Sequence, residues 1–167
     1  MRITLIAALD EDNAIGRAGQ LPWRLPADLK HFKRSTLGKP VILGRRTYAS
    51  IGKPLPDRTT IVLTRQADWM AEGCTVVHDV DQALAVARAT GAEEVMVAGG
   101  AELYRQFLPR AERILLTIVH AHVGGDVRFP DFDSAAWTEI ERREREPDDR
   151  NAHALSFVTL ERRDARA

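Results

Sequence analysis

The chain alternates short, continuous apolar runs with amphipathic stretches. Arg2 to Leu9 is such a run, too uninterrupted for an amphipathic helix, and it predicts a buried strand. Runs at 39–44, 59–64, 74–77, 94–98 and 113–123 predict five more. Between them the period lengthens. A helix opens at Pro26 and ends near 36–38, and a short one covers 45–51. Asp79 with Gln82 three residues on forms a capping box, and 83–90 continues as a helix stopped by Gly91. A fourth helix spans 101–108 and stops at Pro109. Two last strands, 138–145 and 154–161, flank the polar loop 147–151 and predict a closing antiparallel pair.

Strands alternating with helices predict an α/β fold: a mostly parallel central sheet, helices on both faces and an antiparallel C-terminal edge strand. One domain is expected over 1–163, followed by a frayed polar tail at 164–167. Residues 10–21 read as a long polar loop able to move over a site, 52–58 as a Pro-rich turn, and 124–126 as a Gly-Gly-Asp turn.

Composition narrows the function classes. Lys+Arg and Asp+Glu both number 24 in 167 residues, so no global field steers the chain to nucleic acid or an anionic membrane. Cys74 is the only cysteine, which forbids an intrachain disulfide and fits a reducing cytoplasm. The apolar start meets Asp10, Glu11 and Asp12 without a cleavage-site pattern, so it reads as a strand and not a signal peptide. No run approaches the roughly 20 apolar residues that span a bilayer.

Candidate chemistry concentrates in the stretch from Leu21 to Phe32. With a helix starting at Pro26, the inward face is Asp28, Leu29 and Phe32, and Lys30, Lys33 and Arg34 turn to water. A carboxylate on an apolar face is costly unless something binds it. Trp23, Asp28 and Phe32 together suit a flat, nitrogen-rich heterocycle; alone, Asp28 reads more readily as a solvated first-turn acid. Two strand–glycine–helix junctions, Gly44 before Arg45, Arg46 and Thr47, and Gly99-Gly100, fall at the C-terminal ends of predicted parallel strands, where open α/β sheets bind ligands. Thr64-Arg65 ends a third strand. The set suggests a ligand with more than one phosphate, such as a phosphorylated dinucleotide, although G-x-G-x-x-G and Walker A are both absent. His120 and His122 share a strand face in this reading, but no third metal ligand of suitable spacing accompanies them, and no metal is expected.

Leu21-Pro22-Trp23, Leu25-Pro26-Ala27-Asp28-Leu29, Gly44-Arg45, Ser50-Ile51-Gly52, Leu55-Pro56-Asp57-Arg58 and Gly99-Gly100 resemble, in order and spacing, the dihydrofolate reductases of the bacterial chromosomal type. The resemblance runs from Met1 to about Arg163. It implies reduction of 7,8-dihydrofolate to tetrahydrofolate by NADPH, hydride passing to C6 of the pterin and a proton to N5. Asp28 would then bind the pterin and promote protonation, its pKa raised by burial among Ile6, Leu29 and Phe32. Thr117 would support Asp28, and Trp23 would hold an ordered water.

The resemblance further implies a substrate wall of Phe32, Ile51 and Leu55, with Arg58 pairing the glutamate α-carboxylate. Ile6, Ala7, Ala98 and Tyr104 would border pterin and nicotinamide. Ala8, Ile15, Gly16, Arg45, Arg46, Thr47, Thr64, Arg65, His78, Gly99, Gly100, Ala101, Glu102 and Leu103 would hold NADPH, with Arg45 and Arg65 on the 2′-phosphate. A cis Gly99–Gly100 bond, inhibition by antifolates such as methotrexate or trimethoprim, a monomeric state and a cytoplasmic location are expected too. Ala98 stands where the family commonly carries a branched aliphatic residue, Leu21 where some relatives carry Met, and Ala152 lacks a hydroxyl sometimes found there. Two rival readings stay open on the residues: an NADPH-dependent reductase of a ribosylated aminopyrimidine, and a catalytically silent nucleotide-binding module.

Overall fold

A computed structural model describes residues 1–16 and 25–163. Among these residues ten strands form: β1 (Arg2–Leu9), β2 (Ala14–Gly16), β3 (Pro40–Gly44), β4 (Thr59–Leu63), β5 (Thr75–Val77), β6 (Glu94–Val97), β7 (Arg113–Val119), β8 (Val127–Arg128), β9 (Trp137–Arg145) and β10 (Leu155–Arg162). Four α-helices join them: α1 (Pro26–Thr36), α2 (Arg45–Ile51), α3 (Val80–Ala89) and α4 (Ala101–Phe107). The main sheet has the order β5-β4-β3-β6-β1-β7-β10-β9. From β5 to β7 every pairing is parallel; β10 runs antiparallel to both β7 and β9.

Side-chain alternation along the central strands feeds two cores. Ile3, Leu5, Ala7 and Leu9 of β1 join Ile42, Val95 and Val97 beneath α3 and α4. Ile6, Val41, Leu43, Val62 and Met96 point the other way, toward Tyr48 of α2 and Phe32 of α1. Continuous apolar runs are what strands covered on both faces require. Parallel strands place their C-terminal ends on one edge of the sheet, and the register aligns them closely: Gly44 sits beside Leu63, and Leu63 beside Val77.

Several boundaries differ from expectation. Residues 10–21 are not all loop, because Ala14–Gly16 pairs with Val127–Arg128 as a two-stranded ribbon. β7 stops at Val119, so His120 and His122 leave the strand and do not share its face. They bond carboxylates instead: His120 Nδ1 meets Glu11 Oε1 at 2.8 Å, and His122 Nδ1 meets Asp12 Oδ2 at 2.8 Å. α3 does begin where its capping box puts it, at Val80, with the Asp79 carboxylate accepting from the Gln82 N–H at 2.7 Å. Pro109 does not simply stop α4; Leu108–Arg110 continues as a 3₁₀ turn, in which the missing N–H costs little. Residues 17–24 and 164–167, and with them the expected Trp23 water site, Leu21 and the frayed tail, lie outside the described residues.

Candidate active site

Pro26 opens α1 and puts Asp28 in its first turn. Asp28 is partly buried, and burial raises its pKa above the ordinary carboxylate value; a hydrogen bond from the Thr117 hydroxyl opposes that rise without cancelling it. Thr117 comes from β7, beside Ala8 of β1. Ile6 is buried on the same side of the sheet, with Phe32, Leu55 and Ala98 packed against its cluster. A partly buried carboxyl beside an apolar cluster, its pKa raised, is a group able to hydrogen-bond an amidine-like edge and manage a proton.

Tyr104 crosses from α4 to the same place. Its hydroxyl donates to the Ile6 carbonyl at 2.7 Å, and burial together with the Asp28 charge raises its pKa strongly. The β6–α4 turn lies against it. The Gly99–Gly100 peptide is cis, Gly99 has φ +122°, and a Cβ there would stand 3.3 Å from the Tyr104 hydroxyl. Conformation and space both favour glycine at that position. The Gly99 carbonyl accepts from Gly44 N–H at 2.8 Å, locking the two glycine junctions together.

Beyond β3, β4 and β5 stand Arg45, Thr64 with Arg65, and His78. Three inter-strand steps separate β5 from β6, about 14 Å at the usual spacing. Hydroxyls and cations along such a row match a dinucleotide with phosphates. Thr64 is buried, His78 Nδ1 lies 2.9 Å from its carbonyl, and the Arg65 side chain is 87% exposed and 3.8 Å from Glu102. Arg58 projects from the turn before β4. Its Nε donates to the Pro56 carbonyl at 2.8 Å and Nη1 to Thr36 Oγ1 at 3.0 Å. The same turn is tied to the end of α1 by Gly38 N–H donating to the Asp57 carbonyl at 2.9 Å.

The Dihydrofolate reductase family model matches residues 2–162. The chain belongs to the dihydrofolate reductase family. It is 51% identical to a type 3 dihydrofolate reductase of Salmonella typhimurium over 162 residues, covering 97% of this chain and 99% of that one. A Bacillus subtilis dihydrofolate reductase is 39% identical over 98% of this chain and 96% of its own. A solved Enterococcus faecalis dihydrofolate reductase, complexed with NADP(H) and RAB-propyl, superposes with a TM-score of 0.90. It is 36% identical, and the match covers 98% of this chain and 97% of that one. Family members take a small-molecule substrate and are targets of antifolate inhibition.

Among the residues expected of such a reductase, the structure brings Asp28, Thr117, Ile6, Phe32, Leu55, Ala98 and Tyr104 together around one end of β1. Leu29 departs from the predicted inward face: it is 49% exposed. α1 is rotated toward β10, where His31 packs on Phe157 at 4.6 Å between ring centres, so the buried stripe runs through 27/28, 31/32 and 36. Leu29 lies beyond its edge, whereas Asp28 stays within it and is partly buried. Ile51, 37% exposed at the end of α2, is likewise a surface apolar group. Ala7 and Leu103 turn their side chains into the core under α3 and α4, leaving only main chain to border a ligand.

Ile15 packs partly on that core from β2, and Gly16 ends the strand. Arg46, Thr47, Ala101 and Glu102 stand in the first turns after the two glycine junctions. Sequence reasoning missed Thr36, the buried hydroxyl that orients Arg58, and Asn151, whose Oδ1 reaches the start of α1. Both are polar residues whose partners are distant in sequence, so no local motif marks them.

Proposed function

We infer that the protein reduces 7,8-dihydrofolate to 5,6,7,8-tetrahydrofolate, and that Asp28 is the group on which turnover depends. NADPH, when bound, supplies the hydride that reaches C6 of the pterin. The row from His78 through Arg65, Thr64, Arg45, Arg46 and Thr47 to Gly99–Leu103 holds it, with Ala8, Ile15 and Gly16 on the nicotinamide side. Arg45 and Arg65 take the 2′-phosphate.

The carrying observation is the partly buried Asp28 carboxyl in the first turn of α1, hydrogen-bonded by Thr117 from β7, beside the apolar cluster of Ile6, Phe32, Leu55 and Ala98. That carboxyl binds the 2-amino group and N3 of the pterin and promotes protonation at N5. Thr117 fixes its orientation. Trp23, outside the described residues, is assigned the ordered water. Ala7, Ala98 and Tyr104 border the pterin. Leu29, Phe32, Ile51 and Leu55 flank the aminobenzoyl ring, for which two half-exposed aliphatic side chains offer apolar contact. Arg58 pairs the α-carboxylate.

The protein works as a cytoplasmic monomer that engages neither nucleic acid nor membrane. Zero formal charge and a single cysteine support this reading, and among the described residues no helix is long and apolar enough to cross a membrane. NADPH oxidation followed by absorbance, with dihydrofolate and then with methotrexate added, tests the activity. Methotrexate-blocked oxidation is expected. NADPH binding without dihydrofolate turnover, or turnover of a ribosylated aminopyrimidine instead, would overturn the reading. Light scattering tests the monomer.

A further inference from the structure

α1 begins without a cap of its own. Leu25 occupies the capping position and has no side-chain acceptor, and Pro26 follows it. The next N–H, on Ala27, immediately precedes Asp28 and donates to Asn151 Oδ1 at 3.0 Å across 124 residues of sequence. Asn151 is 3% exposed. Its backbone N–H and its Nδ2 donate to Asp148 Oδ1 at 2.9 and 3.0 Å, and the Arg150 N–H donates to the same oxygen at 2.9 Å. Arg145 holds the other carboxylate oxygen at 2.7 Å. Both ends of the Asn151 amide are therefore committed, and its oxygen can face only the helix.

The loop that carries Asn151 leads into β10, and β10 pairs with β7 so that Phe157 lies beside Thr117. A closed mechanical circuit results: Thr117 on β7, β10, Asn151, the Ala27 N–H, Asp28, and back to Thr117. We propose that Asn151 is a positioning residue for the reaction, capping α1 from the β9–β10 loop and so holding the first helical turn, with the Asp28 carboxyl, against Thr117. This rests on the reading of Asp28 given above. An uncapped first turn frays, because its donors lack partners. Fraying here lets water reach a carboxyl whose raised pKa depends first on burial.

The test is single-turnover hydride transfer as a function of pH for Asn151→Ala, beside Asp79→Ala as a matched control. Asp79 caps α3 through the Gln82 N–H, a helix outside the circuit. Among the described residues Tyr104 is the titratable group facing Asp28, and it titrates far above the assay range. Asp148 titrates at about 2, held there by Asn151 and two backbone N–H groups, and so lies below that range.

Asn151→Ala should slow hydride transfer at neutral pH about tenfold, within the hundredfold that a 1 Å misplacement can cost. It should also move the pH midpoint down as Asp28 regains water. Asp79→Ala should lower the melting temperature comparably and leave the midpoint in place. Asp148→Ala keeps the cap but removes its anchor, and should shift the midpoint the same way by less; it serves also if Asn151→Ala fails to fold. Loss of stability with an unmoved midpoint in the Asn151 and Asp148 variants overturns the proposal alone. An Asp28→Asn variant that keeps the wild-type pH profile overturns both it and the reading of Asp28.

Discussion

Replacing Arg58 by leucine should damage substrate binding and leave chemistry intact. A guanidinium has five N–H groups. Pro56 and Thr36 engage Nε and one hydrogen of Nη1, which leaves a fork on Nη1 and Nη2 free to meet a carboxylate side by side. Burial lowers the pKa of Arg58 and Asp57 opposes this, but a guanidinium stays charged throughout any assay range. Hydrogen bonds to a charged group contribute about 1.5–3 kcal/mol, so KM for dihydrofolate should rise roughly 10- to 150-fold with kcat nearly unchanged.

Thr36→Val is the finer perturbation. It keeps the shape but removes the hydroxyl that accepts from Nη1 and donates to the Phe32 carbonyl at 2.7 Å. One net hydrogen bond contributes about 0.5–1.5 kcal/mol, which predicts a KM increase of roughly 2- to 12-fold. Steady-state kinetics on two substrates separates recognition from collapse of the turn. With a dihydropterin that lacks the glutamate tail, neither variant should change KM. An equal rise for the tailless substrate would falsify the assignment and make Arg58 a brace for the 52–58 turn.

Asp28→Asn should lose most turnover at neutral pH and recover part of it in acid, where substrate arrives already protonated. The same variant should melt higher than wild type at neutral pH. A carboxyl whose folded pKa is raised destabilises the fold as pH climbs past its ordinary 3.8, so the advantage should vanish in acid; equal melting temperatures at neutral pH would count against burial of the charge. His31 has the opposite linkage. Burial, then Arg143 and Arg34, lower its pKa from 6.5 to about 4, so folding stability should fall as pH drops through that window. His31→Gln should flatten the dependence, as read by denaturant midpoints. Neutralising Arg45 and Arg65 as glutamines should cut the NADPH-over-NADH preference in kcat/KM by at least about tenfold, since each charge-assisted contact contributes about 1.5–3 kcal/mol. An unchanged ratio would remove both residues from the 2′-phosphate site.

The order of elements was legible because it depends on local pattern. Continuous apolar runs, the Pro26 helix start, the Asp79 cap and the glycines closing each unit all act within a few residues of themselves. The edge carrying Gly44, Thr64 and Gly99 was legible for the same reason, since parallel strands put their ends on one side. What the sequence could not carry were partners brought together by folding. Leu29 and His31 are two positions apart on one helix, and which of them turns inward was decided by Phe157 on β10. The histidines after β7 looked like a strand face until Glu11 and Asp12 came within bonding distance. Thr36 meets Arg58 only because the turn before β4 returns to the end of α1, and Asn151 meets Ala27 across 124 residues of sequence. Local sequence determines which backbone shapes are cheap; only the closed sheet determines which buried polar atoms have a partner, because each such bond needs two segments placed to within a few tenths of an ångström.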